Sequence, residues 1–171
     1  MKRISVKIRV LVAMIFMSSL ISCSMVSKSV VKKKICGTWE VYSGIVYNKY
    51  DLKVIYPESP FDEQMKWKLV ITSDDKITKP ARDEYDAEQI ANYELYTGDE
   101  AMEKGLIEKK HQRRAARTDD DNMLILATDK QIIDERLFQI VNCTSDTLTI
   151  RFLSSTKFFS EHLYEYKLVR K

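Results

Sequence analysis

Alternation with a period of two, in short runs separated by short polar turns, constrains this chain more than any other feature. In Met65–Ser73, MKWKLVITS, Met65, Trp67, Leu69 and Ile71 fall on one side and Lys66, Lys68 and Val70 on the other. Successive side chains of an extended strand point to opposite faces, so this pattern makes a half-buried strand rather than the single apolar stripe of a helix. The run after Cys36, CGTWEVYSGIVYNKY, is rich in aromatic and β-branched residues, and Trp39, Val41 and Ser43 alternate with Thr38, Glu40 and Tyr42. Leu52–Tyr56 is a further short strand, stopped by Pro57 and Pro60 of the PESP turn. Asn122–Thr128, Gln131–Asn142, Asp146–Ser154 and His162–Arg170 repeat the pattern, and NCTSD makes a hairpin of two of them. In the last run Tyr164, Tyr166 and Leu168 share one face and Leu163, Glu165, Lys167 and Val169 the other. Roughly seven or eight strands with local connections specify a mainly β fold, an antiparallel up-and-down meander closed into a barrel or a strongly curved sheet.

The middle differs. Asp86 to about Arg117 is dominated by Ala, Glu, Gln, Lys, Arg and Met. DAEQIANYELYT reads as a short helix or, through Tyr93 and Leu95, as a strand. GDEAMEKGLIEKKHQRRAAR reads as a charged surface helix or a long charged excursion, with Asp99 near its start and a thin apolar face of Ala101, Met102, Leu106 and Ile107. Gly105 weakens that helix by roughly 1 kcal/mol relative to alanine.

The first residues are of another kind. Lys2, Arg3, Lys7 and Arg9 precede Val10–Leu20, a run without a charge. A basic start and an apolar run of roughly 7–15 residues describe a secretory signal peptide, and the run falls short of the ~20 residues that span a bilayer. Leu20-Ile21-Ser22-Cys23 resembles the lipobox of bacterial lipoproteins. That resemblance implies removal of residues 1–22, a diacylglyceryl thioether on Cys23 and an acyl chain such as palmitate on the new amine. Only a thiol gives the thioether, and the preceding residue is small to enter the peptidase. One acyl chain holds a protein only marginally, at about 0.8 kcal/mol per buried methylene, whereas two or three hold it firmly. The expected location is a bacterial cell envelope, lipid-anchored, at the periplasmic or surface face of the outer membrane.

Cleavage changes the charge. The whole chain carries 28 Lys and Arg against 25 Asp and Glu, and residues 1–22 account for four of the basic residues and none of the acids. The remaining domain is nearly neutral, which argues against a nucleic-acid partner. Residues 23–35 read as a lipidated N-terminus and polar tether whose Lys28, Lys32, Lys33 and Lys34 are solvated or lie near anionic headgroups. Residues 36–171 read as one domain.

Gly37-Thr38-Trp39 opening the first strand resembles the glycine-x-tryptophan start of lipocalins, and more closely that of lipocalin-like lipoproteins in envelopes of the Bacteroides group. Ser145-Asp146-Thr147-Leu148-Thr149-Ile150 and Tyr164-Glu165-Tyr166-Lys167-Leu168-Val169-Arg170 are similar to the hairpin that often ends those proteins. The likeness covers the two ends of the mature chain and leaves residues 86–117 unmatched. It implies a lipocalin-like barrel closed at one end by Gly37, Trp39 and Arg170, with the guanidinium stacked on the indole. A barrel of about eight strands either holds one small apolar ligand or is filled by side chains, and the residues leave that open. On such a barrel Cys143, following the strand counted as penultimate, is expected at the end opposite Cys36, which disfavours a disulfide between them.

The residues of catalysis are not found together. His111 and His162 lack metal spacing, and His111 lies in the basic run KKHQRR, a solvated helix face or a patch for an anionic partner. Asp119-Asp120-Asp121-Asn122 lacks the glycine and distal glutamate of an EF-hand loop. No nucleophile elbow, phosphate-binding glycine loop or C-x-x-C occurs. Asn142-Cys143-Thr144 is a sequon, and Asp146-Thr147-Leu148 resembles a short O-glycosylation acceptor. No catalytic residue, metal ligand or cofactor is assigned. Two functions stand: a lipid-anchored binding module taking a small apolar or amphipathic ligand in its barrel, and a structural lipoprotein docking an envelope partner on its outer surface, through Lys104–Arg117 for instance.

Overall fold

The computed structural model describes residues 28–48, 51–107, 124–133, 135–153 and 162–171. Cys23, the charge-free run before it, His111 and Asp119–Asn122 lie outside the described residues. Helix α1 (Lys28–Ile35) leads into β1 (Gly37–Asn48), β2 (Val54–Pro60), a 3-10 turn at Glu63–Met65, β3 (Lys68–Ile71) and β4 (Lys76–Lys79). Then follow β5 (Gln89–Thr97), α2 (Gly98–Glu103), β6 (Leu124–Ile132), β7 (Glu135–Cys143), β8 (Thr147–Phe152) and β9 (His162–Arg170). All pairings are antiparallel; the order is β2-β1-β3-β4-β5-β6-β7-β8-β9, and β9 returns to pair with β1 along Trp39–Asn48. The meander is therefore a closed barrel of β1 and β3 to β9, with β2 as an additional strand.

The placement of β2 follows from β1. Its first half, Gly37–Glu40, pairs with β3, and its second half, Ser43–Tyr47, pairs with β2 on the same edge. Between the two, Phe61 N–H donates to Tyr42 O and Val41 N–H to Trp67 O, both at 3.0 Å. β2 and β3 are thus two halves of one barrel stave, parted by residues 61–67. The run Met65–Ser73, expected as one strand, is cut accordingly: Met65 is exposed in the 3-10 turn, while Trp67, Leu69 and Ile71 keep the inward face. The expected stop at Pro57 does not occur, because β2 has a strand on one side only among the described residues and an edge tolerates a missing N–H. β4 went unforeseen; its Ile77 and Lys79 are buried while Lys76 is exposed and Thr78 half-buried, after the expected turn, where Asp75 has φ 63°.

A register shift between Val41 and Ser43 turns β1 over. Trp39 and Val41 face inward before it and Gly44 and Val46 after it, against Tyr166 and Tyr164 of β9. Among the described residues the interior is filled by apolar side chains, and a pocket between Ile35, Leu69, Ile77, Phe138 and Ile150 among others measures about 10 Å³. That is at the lower limit for a single water, and a water there would find no polar partner.

The central segment resolves as strand plus a short helix. DAEQIANYELYT takes its strand alternative, with Ala91 and Tyr93 inward. α2 starts in a capping box: Glu100 N–H donates to the Thr97 hydroxyl at 3.3 Å and Thr97 N–H to the Glu100 carboxylate at 2.8 Å. It ends by Gly105, at φ 68°, so the expected long helix is six residues as far as the described chain goes. Ala101 and Ile107 pack on the outer wall against Ile125 and Leu153, a second small core outside the barrel. On the same wall the Arg151 guanidinium holds Glu165 at 2.6 and 3.0 Å, reaches Gln139 at 3.4 Å and lies 5.7 Å from the Tyr47 ring, with both charged side chains buried.

Candidate functional site

The two ends of the barrel differ in chemistry. The first end is sealed by α1, a helix where a polar tether was expected. Val31 and Ile35, one turn apart, are buried in the barrel core. The carbonyls at the helix C-terminus need partners. Trp39 Nε1 donates to Ile35 O at 2.6 Å, Arg170 Nη2 to Lys34 O at 2.7 Å and Arg170 Nη1 to Cys36 O at 2.8 Å. The guanidinium also bonds Ser145 O and lies 4.3 Å from the centre of the Trp39 ring, which is wholly buried. Its positive charge complements the helix dipole. Gly37 has φ 145°, and a β-carbon there would run into Arg170 Nη1. Gly37, Trp39 and Arg170 therefore meet in one clamp. Lys28 is bonded to Glu100 at 2.6 and 2.7 Å, and Lys32 to Asp75 at 2.5 Å. Each such half-exposed pair contributes about 0–1 kcal/mol, against about 1.5–3 kcal/mol for burying a valine or isoleucine, so apolar burial holds the plug.

This end also corrects the expectation for the cysteines. β7 runs opposite to β1, so Cys143 at its end stands at the same end as Cys36. The strand before Cys143 is third from the last, since β8 and β9 both follow it. Both thiols are free. Burial raises the Cys143 pKa.

The opposite end carries an aromatic ladder. Phe138 meets Phe152 edge-on at 5.2 Å, and Phe152 meets Tyr166 at 4.9 Å. Tyr166 is flanked by Trp67 at 5.5 Å and Phe61 at 5.9 Å, and it stacks on Tyr164 at 6.5 Å with the planes 9° apart. Gly44 makes room: a β-carbon there would lie 2.9 Å from the tip of Phe61 and 3.3 Å from Tyr166. Burial, with Tyr164 nearby, pushes the Tyr166 pKa up to about 12, so this phenol stays neutral. Beside the ladder, across Val46 from Tyr164 in the sheet register, Tyr56 is 61 % exposed. Val54 and Ile55 on the same strand are exposed too.

Two loops border this mouth. Lys79, with the inward parity of Ile77, is buried and bonds both Asp86 oxygens at 2.8 and 2.6 Å. Arg82 bonds Asp86 through Nε at 3.2 Å and Gln64 O through Nη1 at 3.1 Å, latching the segment 80–86 to 61–67. The Lys79 ammonium, then the Arg82 contacts, hold Asp86 down to about 2. Beside the latch is a groove of about 590 Å³ lined by Trp67, Lys66, Lys68, Glu40, Glu63 and Arg82 among others. Its cations are already engaged: Lys66 with Glu63, Lys68 with Glu40 and Arg82 with Asp86.

Among the described residues no buried side-chain nitrogen or oxygen lacks a partner, and no three His, Cys, Asp or Glu side chains gather as a metal site. No described helix is long and apolar enough to cross a membrane. Of the residues named from sequence, Trp67, Tyr164 and Tyr166 reach the mouth, as does Phe152, which shares its face with Leu148 and Ile150 as the alternation requires. Phe61 and the Lys79–Asp86 latch were not foreseen. No family model matches the chain, and no curated protein or solved structure matches it significantly.

Proposed function

We propose that this chain is a non-enzymatic lipoprotein of a bacterial envelope, held by lipid on Cys23, that binds a small apolar or amphipathic ligand at the mouth of its barrel. The observation that carries the reading is the ladder from Phe138 to Tyr164, with the exposed Tyr56 across Val46 from its end, above a core whose described side chains leave a pocket of about 10 Å³. A ligand held wholly inside a barrel needs a cavity hundreds of Å³ in size, and the pocket that the described side chains leave in the core is far smaller, which favours a shallow site at the rim. Flat aromatic faces and aliphatic neighbours suit a ring or an acyl segment, with the phenol hydroxyls left for a polar head.

Titration of the protein with the fluorescent apolar amine N-phenyl-1-naphthylamine tests this. Saturable binding that falls at least tenfold in Tyr56→Ala/Tyr164→Ala, while Met65→Ala binds normally, supports the mouth. Equal binding by both variants sinks it. The outer-surface reading retains one specific observation: all seven residues of β2 are exposed, and among the described residues β2 pairs only with β1. An extended partner segment can add to such an edge. Capture of one envelope protein, lost on Ile55→Pro and kept by Tyr164→Ala, would favour that reading.

A further inference from the structure

We propose that the α1-sealed end of the barrel rests on the bilayer that carries the Cys23 lipid, so that the aromatic mouth faces away from the membrane. The proposal rests on the anchoring reading above and adds an orientation to it. Five residue steps separate Cys23 from Lys28, the first residue of α1. At about 3.6 Å per step, even a fully extended chain reaches no more than about 18 Å. The helix itself cannot swing out without uncovering Val31 and Ile35 and breaking the Trp39 and Arg170 bonds to its carbonyls. The plug therefore fixes which end stays near the lipid. β9 spans nine residues from mouth to seal, which at about 3.3 Å per residue and a tilt of about 40° sets the mouth roughly 20 Å further out.

The outward side of α1 has the composition for that position. Lys28 and Lys32 are engaged with Glu100 and Asp75, but Lys33 and Lys34 are exposed and form no ion pair among the described residues. Val30, one turn before Lys33 and Lys34, is 44 % exposed. An apolar side chain flanked by two lysines suits the headgroup layer of an anionic bilayer.

The test uses the mature lipoprotein in vesicles of phosphatidylethanolamine and phosphatidylglycerol. On a Cys36→Ser/Cys143→Ser background, one fluorophore is placed through Lys33→Cys at the seal or Ser59→Cys on β2, and energy transfer to a headgroup-labelled acceptor lipid is compared. Several-fold stronger transfer from the seal is expected. Equal transfer, or stronger transfer from β2, overturns the orientation. In case those substitutions disturb folding, amine labelling of the unmodified lipoprotein, scaled to the denatured lipoprotein, gives a second reading. Lys33 and Lys34 should react several-fold less than Lys53 on the mouth-side turn, and equal reactivity overturns the proposal. The mass of the N-terminal peptide separates the two failures. A Cys23 without diacylglycerol removes the anchor and the orientation together. A lipidated Cys23 with equal transfer removes the orientation alone.

Discussion

Gly37 and Arg170 compete for one small volume at the sealed end, and only a residue without a β-carbon lets the guanidinium reach Cys36 O. Gly37→Ala meets both that collision and a φ of 145°, so urea unfolding should show a loss of about 1–3 kcal/mol. Arg170→Lys should cost nearly as much as Arg170→Ala, since an ammonium cannot serve three carbonyls and a ring face at once. On the outer wall Arg151→Leu leaves Glu165 buried without its cation, for an expected loss of about 3–5 kcal/mol. Tyr166 gives a pH signal. Its folded pKa of about 12 exceeds the ordinary value of 10, so its neutral form contributes stability below pH 10 that is lost as pH rises toward 12. Ultraviolet titration of the tyrosines should show a phenol ionising near 12 that disappears in Tyr166→Phe; an unchanged curve would contradict the burial.

The elements show which parts of the fold were legible in sequence. β1 and β9 and the inward side of β3 could be read because alternation reports burial on one face directly. α1 was hidden: it buries only Val31 and Ile35, and two residues one turn apart do not stand out from a lysine run. Strand order was harder still, because β4 is four residues long and one stave is split between β2 and β3. Cys143 was put at the wrong end for a separate reason: its strand was counted as penultimate, although β8 and β9 both follow it and it therefore runs opposite to β1. For α1, Ile35→Ala should cost about 2–5 kcal/mol, whereas Lys28→Ala should cost less than about 1 kcal/mol. The mouth latch depends on pH in the sense opposite to Tyr166. Asp86 is depressed to about 2 from 3.8, so its contribution is present above pH 4 and is lost as pH falls toward 2. Trp67 fluorescence should change in that window before the barrel unfolds, and Asp86→Asn should show the acid-like signal at neutral pH together with faster tryptic cleavage after Arg82.

At the scale of the whole molecule, the barrel has a sealed end, a solid middle and an aromatic mouth. Closure was legible in the residue pattern; α1 was read as part of a tether, the filling of the barrel was left open, and the mouth as a whole was not foreseen. Its members come from five separate stretches, Tyr56–Phe61, Trp67, Phe138, Phe152 and Tyr164–Tyr166, which only the register brings together. Intermolecular nuclear Overhauser effects between bound N-phenyl-1-naphthylamine and the protein are therefore the most direct test of where a ligand sits. A ligand at the mouth should show contacts to the ring protons of Tyr56 and Tyr164. Contacts confined to other side chains, such as Val30 of α1, would place the ligand elsewhere and contradict the mouth as the site.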